Sequence, residues 1–250
     1  MIQTARASIT RGWSMWGTAV IGLLFANKHF RLYPDLNTGT LTRLRANNVD
    51  TEKLARASIR HGLYRYLRHQ KPLDEQVLLF EECIRKYPLH SNGQIDVPKT
   101  LADIVESSVG AVFVDSDSSL EAAWRVCQNL LEPMVGLENL MIHPTSELME
   151  ICQKHGVKMR FEDLWEETRC FDVFVHGELA GTGCHPKKKE VARCRAANNA
   201  LPNVYRIIAD KKAADAAGQN TDGELIHKED AGVAIGLLLF GGLDVVINDW

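Results

Sequence analysis

Asp103 and Glu106 stand three residues apart in the run Pro98-Lys99-Thr100-Leu101-Ala102-Asp103-Ile104-Val105-Glu106-Ser107-Ser108-Val109-Gly110-Ala111-Val112-Phe113-Val114-Asp115, with Lys99 one turn before them. On a helix, residues three and four apart are neighbours, which sets the two carboxylates roughly 5–6 Å apart at Cβ. Two hard oxygen donors at that separation can grip one hard cation, so the pair is half of a metal site. The same spacing also describes a solvated helix face with an i,i+4 pair between Lys99 and Asp103.

The helix that carries them has two sides. Leu101, Val105 and Val112 form an apolar seam, while Lys99, Asp103, Glu106, Ser107 and Gly110 fall on a different face. Other elements must flank it. Ala19–Arg31 is an apolar helical run that passes into a turn at Leu32–Gly39, rich in Pro, Asp, Asn and Gly. Leu41–Asn48 reads as a short basic helix with Arg43 and Arg45. Asp50 and Thr51 offer an N-cap for a helix through Leu54, Ala55 and Ile59, ended by His61-Gly62. Pro72–Pro98 reads as an acidic, polar connection with a helical start. Ser118-Ser119 caps a last helix to Leu131, stopped by Pro133, and the domain should close near Val135.

A chain of 250 residues with 45% hydrophobic content can bury a sizeable core and hold one or two domains. Net charge is −3, which excludes a uniformly basic coat for nucleic acid, yet the charge is uneven. Residues 40–69 carry seven Lys and Arg against two Asp and Glu, and residues 70–150 carry five against fourteen. The six cysteines form no C-x-x-C pair and no zinc spacing with histidine, so free thiols in a reducing compartment are expected. No stretch reaches the ~18 apolar residues of a membrane span. Met1–Pro34 holds Arg, Ser and Thr but no acid, as organelle transit peptides do. The expected location is intracellular: nucleus, cytoplasm or an organelle.

The fifteen positions Leu101–Asp115 resemble the second acidic motif of ribonuclease III, in which an Asp and a Glu at this spacing bind catalytic magnesium. Tyr33-Pro34, Leu41-Thr42-Arg43-Leu44-Arg45-Ala46 and Thr51-Glu52-Lys53-Leu54-Ala55 resemble further motifs of that family, in its order, and the wording is most similar to the plant ribonuclease-three-like proteins. The resemblance implies an all-α ribonuclease III domain over residues 1–137, incomplete at its N-terminus. It also implies a homodimer, or a heterodimer with another ribonuclease III, and metal-assisted cleavage of double-stranded RNA with Mg2+ or Mn2+. Asp103 and Glu106 would bind the metal, Lys99 would steady the phosphate, and Arg43 and Arg45 would lie along the RNA.

Residues 143–205 read helix, three strands, helix. Ser146–His155 is amphipathic, Met159–Trp165 and Arg169–His176 are extended, Glu178–Gly183 follows a turn at Gly177, and Glu190–Leu201 is alanine-rich helix. That α-β-β-β-α order resembles a double-stranded-RNA-binding domain, most densely at Gly181-Thr182-Gly183, Lys187-Lys188-Lys189, Ala192-Arg193 and Ala196–Leu201. Three lysines at a helix start oppose the helix dipole, an arrangement that makes sense where phosphates sit. The resemblance carries RNA contact to Glu150, Lys187, Lys188, Lys189 and Arg193. The family's loop between its first two strands has no counterpart in Trp165–Arg169, which implies weaker, shape-tolerant binding. Residues 206–250 read as a linker at Ala213–Glu224 and an apolar run at Ala231–Leu243.

The first acidic motif of the ribonuclease III family reads L-E-x-x-G-D, and the matching positions are Trp13-Ser14-Met15-Trp16-Gly17-Thr18. Gly17 survives, but Ser14 and Thr18 stand where the acids belong. A neutral hydroxyl supplies no charge to a hard dication and is a weaker ligand, so the chain is expected to be a poor nuclease. A catalytically inactive duplex-RNA-binding protein, or a partner of an intact ribonuclease III, is the alternative. A codon set exists for Trp13–Ala19 that spells Glu-His-Val-Gly-Asp-Ser when read from the third base of its first codon. A shifted exon boundary or a splice variant would remove the acids by that route, and one continuous open frame through Ser14 in abundant messenger would exclude it.

Overall fold

The computed structural model describes the backbone of residues 2–67 and 71–221, so the apolar run expected at Ala231–Leu243 lies outside the described residues. Contacts divide the chain into two units, Met1–Ile207 and Ile208–Trp250. The second is described only through Thr221, where its backbone is helical.

The first unit begins with α1 (Ile2–Leu32), α2 (Thr38–Val49) and α3 (Thr51–Arg60). Then come α4 (Lys71–Lys86), α5 (Lys99–Asp115) and α6 (Leu120–Leu131). The caps expected for α3 and α6 are in place: Asp50 accepts from the Lys53 amide at 2.7 Å, and Ser119 from the Ala122 amide at 3.2 Å. α5 lies in the middle of the bundle. Ala102, Val105 and Val109 share a core with Val20, Ile21, Leu24 and Phe25 of α1, Leu54 and Ala57 of α3, and Ala123, Cys127 and Leu131 of α6. Leu101 packs into a second cluster with Ala55, Leu73, Val77, Phe80 and Ile95. Residues 71–86 therefore form a full helix rather than a polar connection, because Leu73, Val77 and Phe80 recur at helical spacing beneath an acidic outer face.

Two glycines set how closely α1 and α5 approach. A Cβ on Gly17 would stand 1.9 Å from the Glu106 carbonyl oxygen, and one on Gly110 would stand 2.5 Å from the Trp13 carbonyl oxygen. No side chain fits there, so the backbones meet directly and Trp13–Thr18 lies against the turn that carries Glu106. Gly110, expected on the charged face, is buried in this crossing instead.

A buried ionic knot fastens the loop after α4. Glu52, 4% exposed, accepts from the Ser91 amide at 2.8 Å, the Ser91 hydroxyl and Arg56 Nε at 2.9 Å. His90 Nε2 lies 2.9 Å from Asp50 Oδ2 and 3.7 Å from Glu52 Oε2. Burial opposes a charge on His90, but the adjacent Asp50 carboxylate and the charge of Glu52 prevail over burial and Arg56 and hold its pKa above the ordinary imidazole value. A raised folded pKa gives stability that is full below the unfolded value and is lost as pH rises through the folded one. The urea midpoint should therefore fall as pH rises from about 6 to about 8, and His90→Gln should remove that dependence. An identical slope in the variant would show that His90 does not carry it.

The rest of the first unit is α7 (Pro144–His155), β1 (Met159–Leu164), a single turn α8 (Trp165–Thr168), β2 (Cys170–Val175), β3 (Glu178–Cys184) and α9 (Lys189–Thr221). The sheet is antiparallel in the order β1-β2-β3. Phe171, Val173 and Val175 are buried on its inner face, and a Cβ on Gly183 would stand 2.1 Å from the Ala196 amide nitrogen of α9. The small residues Ala192, Ala196, Ala197 and Ala200 let α9 lie flat on that sheet. α9 does not stop at Leu201: it accommodates Pro202 and continues through Thr221, across most of the expected linker.

The expectation of six free thiols fails for two. Cys170 and Cys184 are cross-strand partners with Cα atoms 4.1 Å apart and form a disulfide, because β2–β3 pairing brings them opposite each other. Cys83, Cys127, Cys152 and Cys194 are free. Burial pushes the Cys127 thiol up to about 12 and, against the opposing charge of Arg195, the Cys194 thiol up to about 11, which leaves both inert.

Candidate active site and nucleic-acid face

The close crossing of α1 on α5 brings Ser14 to Glu106. The Ser14 hydroxyl, 9% exposed as a residue, donates to Glu106 Oε2 at 2.6 Å. Thr18 turns its hydroxyl back to the Ser14 carbonyl at 2.9 Å. One turn away, Lys99 bonds Asp103, and that bond, opposed by slight burial, holds the Lys99 ammonium above its ordinary pKa. The sequence places Ser14 and Glu106 92 residues apart, and the fold brings them into contact.

These side chains do not fit a complete cage for a hard dication. Each carboxylate already has a partner from its own chain, a hydroxyl for Glu106 and an ammonium for Asp103. Among the described residues, no three His, Cys, Asp or Glu side chains come together as metal ligands. Asp103 and Glu106 can hold a proton, a water or an ammonium, but they carry only two negative charges between them.

The residues expected to touch RNA gather on α7 and around the start of α9. α9 begins at Lys189, so Lys187 and Lys188 lie in the turn before it, and all three lysines are exposed. The turn is shaped by His185, whose Nδ1 accepts from the amides of Lys187 at 3.2 Å and Lys188 at 2.9 Å. Burial and the nearby Arg195, Lys188 and Lys187 outweigh Asp96 and hold His185 below its ordinary pKa, in the neutral form that can accept those bonds. Lys189 Nζ lies 2.6 Å from Asp163, and Arg193 stacks over Phe161 at 4.7 Å from the ring centroid. Glu150 bonds Arg43 of α2 at 2.5 Å. Arg43 therefore faces a carboxylate of the same chain in this structure.

Sequence reasoning missed the connectors. Asn47 exchanges hydrogen bonds with the Met141 carbonyl and amide at 3.0 and 3.1 Å, and Asn48 does the same with Val135 at 2.9 and 2.8 Å. Paired amides facing a connecting segment were the available signal, but only the partner segment gives them meaning.

A ribonuclease III domain matches residues 13–117. Ribonuclease 3-like protein 3 of Oryza sativa subsp. japonica is 46% identical over 199 residues, covering 78% of this chain and 66% of that protein. Ribonuclease 3-like protein 2 of Arabidopsis thaliana is 37% identical over 200 residues, covering 77% and 51%. Endoribonuclease Dicer homolog 1 of Arabidopsis thaliana is 36% identical over 227 residues, 83% of this chain and 12% of that one. The chain thus spans between about half and two thirds of the ribonuclease 3-like relatives.

Proposed function

Because the chain belongs to the ribonuclease III family, we propose that it captures double-stranded RNA and, with its first acidic motif replaced, cleaves it poorly. The observation that carries this reading is the Ser14 hydroxyl on Glu106, in the position where a second carboxylate would be needed. The family generally uses divalent metals, and Mg2+ or Mn2+ would meet only Asp103 and Glu106 here. The capture face is α7 and the start of α9, and its exposed Lys187, Lys188, Lys189 and Arg193 suit phosphates. The one-turn α8 between β1 and β2 offers no long loop for the minor groove, which favours modest affinity.

Purified protein incubated with a long perfect duplex and Mg2+ should retain the RNA at low ionic strength and leave it mostly intact. Discrete fragments that disappear in Glu106→Gln would show an active nuclease and overturn the poor-cleavage reading. No retention at any salt concentration would overturn the capture reading.

A dimer is part of the same proposal. Trp16, Leu23 and Phe30 follow one another at seven-residue spacing on the outside of α1 and are 50%, 54% and 67% exposed, with Ala19 and Ala26 between them. That is a coiled-coil-like seam left open, which a second ribonuclease III domain would cover. Light scattering should give twice the chain mass for the wild type and the monomer mass for Leu23→Lys; a monomeric wild type would reject the dimer.

A further inference from the structure

The residues expected to meet RNA are partly engaged by the helical bundle itself. Ile95 is buried in the bundle's second cluster and Ser91 is bonded to Glu52, so residues 91–97 are fixed firmly on the helical side. The same loop reaches across to α9. Arg195 Nε donates to the Gln94 carbonyl at 2.9 Å, the Cys194 thiol donates to the Asn92 carbonyl at 3.2 Å, and Asp96 stands 3.9 Å from Lys188 Nζ. On the α7 side, Glu150 is held by Arg43. The loop, α7 and the start of α9 enclose a groove of about 640 Å3 lined by Asp96, His143, Met149, Lys188 and Arg193. That volume is room for a small molecule, not for a double helix.

We propose that the loop 91–97 is an internal competitor for duplex RNA, with Asp96 standing on Lys188 where an RNA phosphate would stand. The inference rests on the reading that α7 and the start of α9 bind duplex RNA. In the closed arrangement the loop shields one side of that face, and RNA must displace Asp96 from Lys188 and Glu150 from Arg43 to lie across it. The ion pairs are half-exposed, so each is weak and a phosphate can displace it. Any RNA contact is correspondingly weakened by the fraction of molecules that are closed.

The test uses the full chain and a duplex of about 20 base pairs at low salt, with Asp96→Ala compared with Glu121→Ala, which removes one exposed acid from α6 and so makes the same change in net charge. Asp96→Ala should bind about threefold to fivefold more tightly than wild type, and Glu121→Ala should match wild type. Hydrogen exchange on the wild type should show faster exchange of the loop amides at residues 92–97 when duplex RNA is added, a readout that needs no variant. Equal affinities for the two variants, with loop exchange unchanged by RNA while Lys188→Ala still weakens binding, would overturn the competitor role and leave the RNA-binding face standing. No binding by wild type or Asp96→Ala would overturn both.

Discussion

The double variant Ser14→Glu/Thr18→Asp should cleave long duplex RNA in Mg2+ at least about 100-fold faster than the wild type. Metal-assisted hydrolysis draws several kcal/mol of transition-state stabilisation from the bound ion, and each 1.36 kcal/mol is about tenfold in rate. The close helix crossing that this requires is present. Gly17 and Gly110 let α1 lie on α5, and Ser14 touches Glu106, so a carboxylate at residue 14 arrives beside Glu106 without moving either helix. Cleavage in this background should vanish with Asp103→Asn. A second measurement separates a failed site from a failed fold: two carboxylates side by side repel when no ion is bound, so the double variant should melt below wild type in chelator and recover as Mg2+ is added, whereas wild type should hardly respond. A double variant with no response to Mg2+ in melting or in cleavage would show that the crossing does not form an ion site, and the acidic pair on α5 would then be a solvated helix face.

That experiment depends on a crossing the sequence shows only in part. The acids and the lysine on α5 were legible from spacing, and the caps at Asp50 and Ser119 from residue type, because both are local properties of one helix. The α-β-β-β-α order was legible for the same reason: alternation and turn residues are short-range. The long-range pairings were not. Nothing in the spacing of Ser14 says that its hydroxyl meets Glu106, since that contact exists only where two glycines remove the side chains between the helices. The Cys170–Cys184 pair was hidden similarly. The two cysteines lie seven residues either side of Gly177, a symmetry that matters only once the hairpin register is known. Only the start of α4 was legible, because its acidic face dominates its composition, while Leu73, Val77 and Phe80 do the packing. The end expected at Leu201 was too early, since α9 accommodates Pro202 and runs on to Thr221.

Replacing Lys187, Lys188 and Lys189 together by alanine should weaken duplex RNA binding by about 10-fold to 100-fold near 0.1 M salt and flatten its salt dependence. Each phosphate-neutralising lysine contributes just under one unit to the slope of log affinity against log salt, so three could remove a little more than two units. The three should not contribute equally. Lys188 and Lys189 face Asp96 and Asp163 in the free protein, and RNA must replace those partners, which reduces what each lysine gains. Lys187 is exposed in the turn shaped by His185 and forms no ion pair among the described residues, so its charge is available to a phosphate at no such cost. Lys187→Ala should therefore cause the largest single loss, and Lys188→Ala should cause little in an Asp96→Ala background only if Lys188 is not an RNA contact. Filter binding across a salt series decides the point. Equal slopes for wild type and triple variant would mean that the lysine run is a solvated helix start and that duplex RNA, if it binds at all, lies elsewhere on the chain.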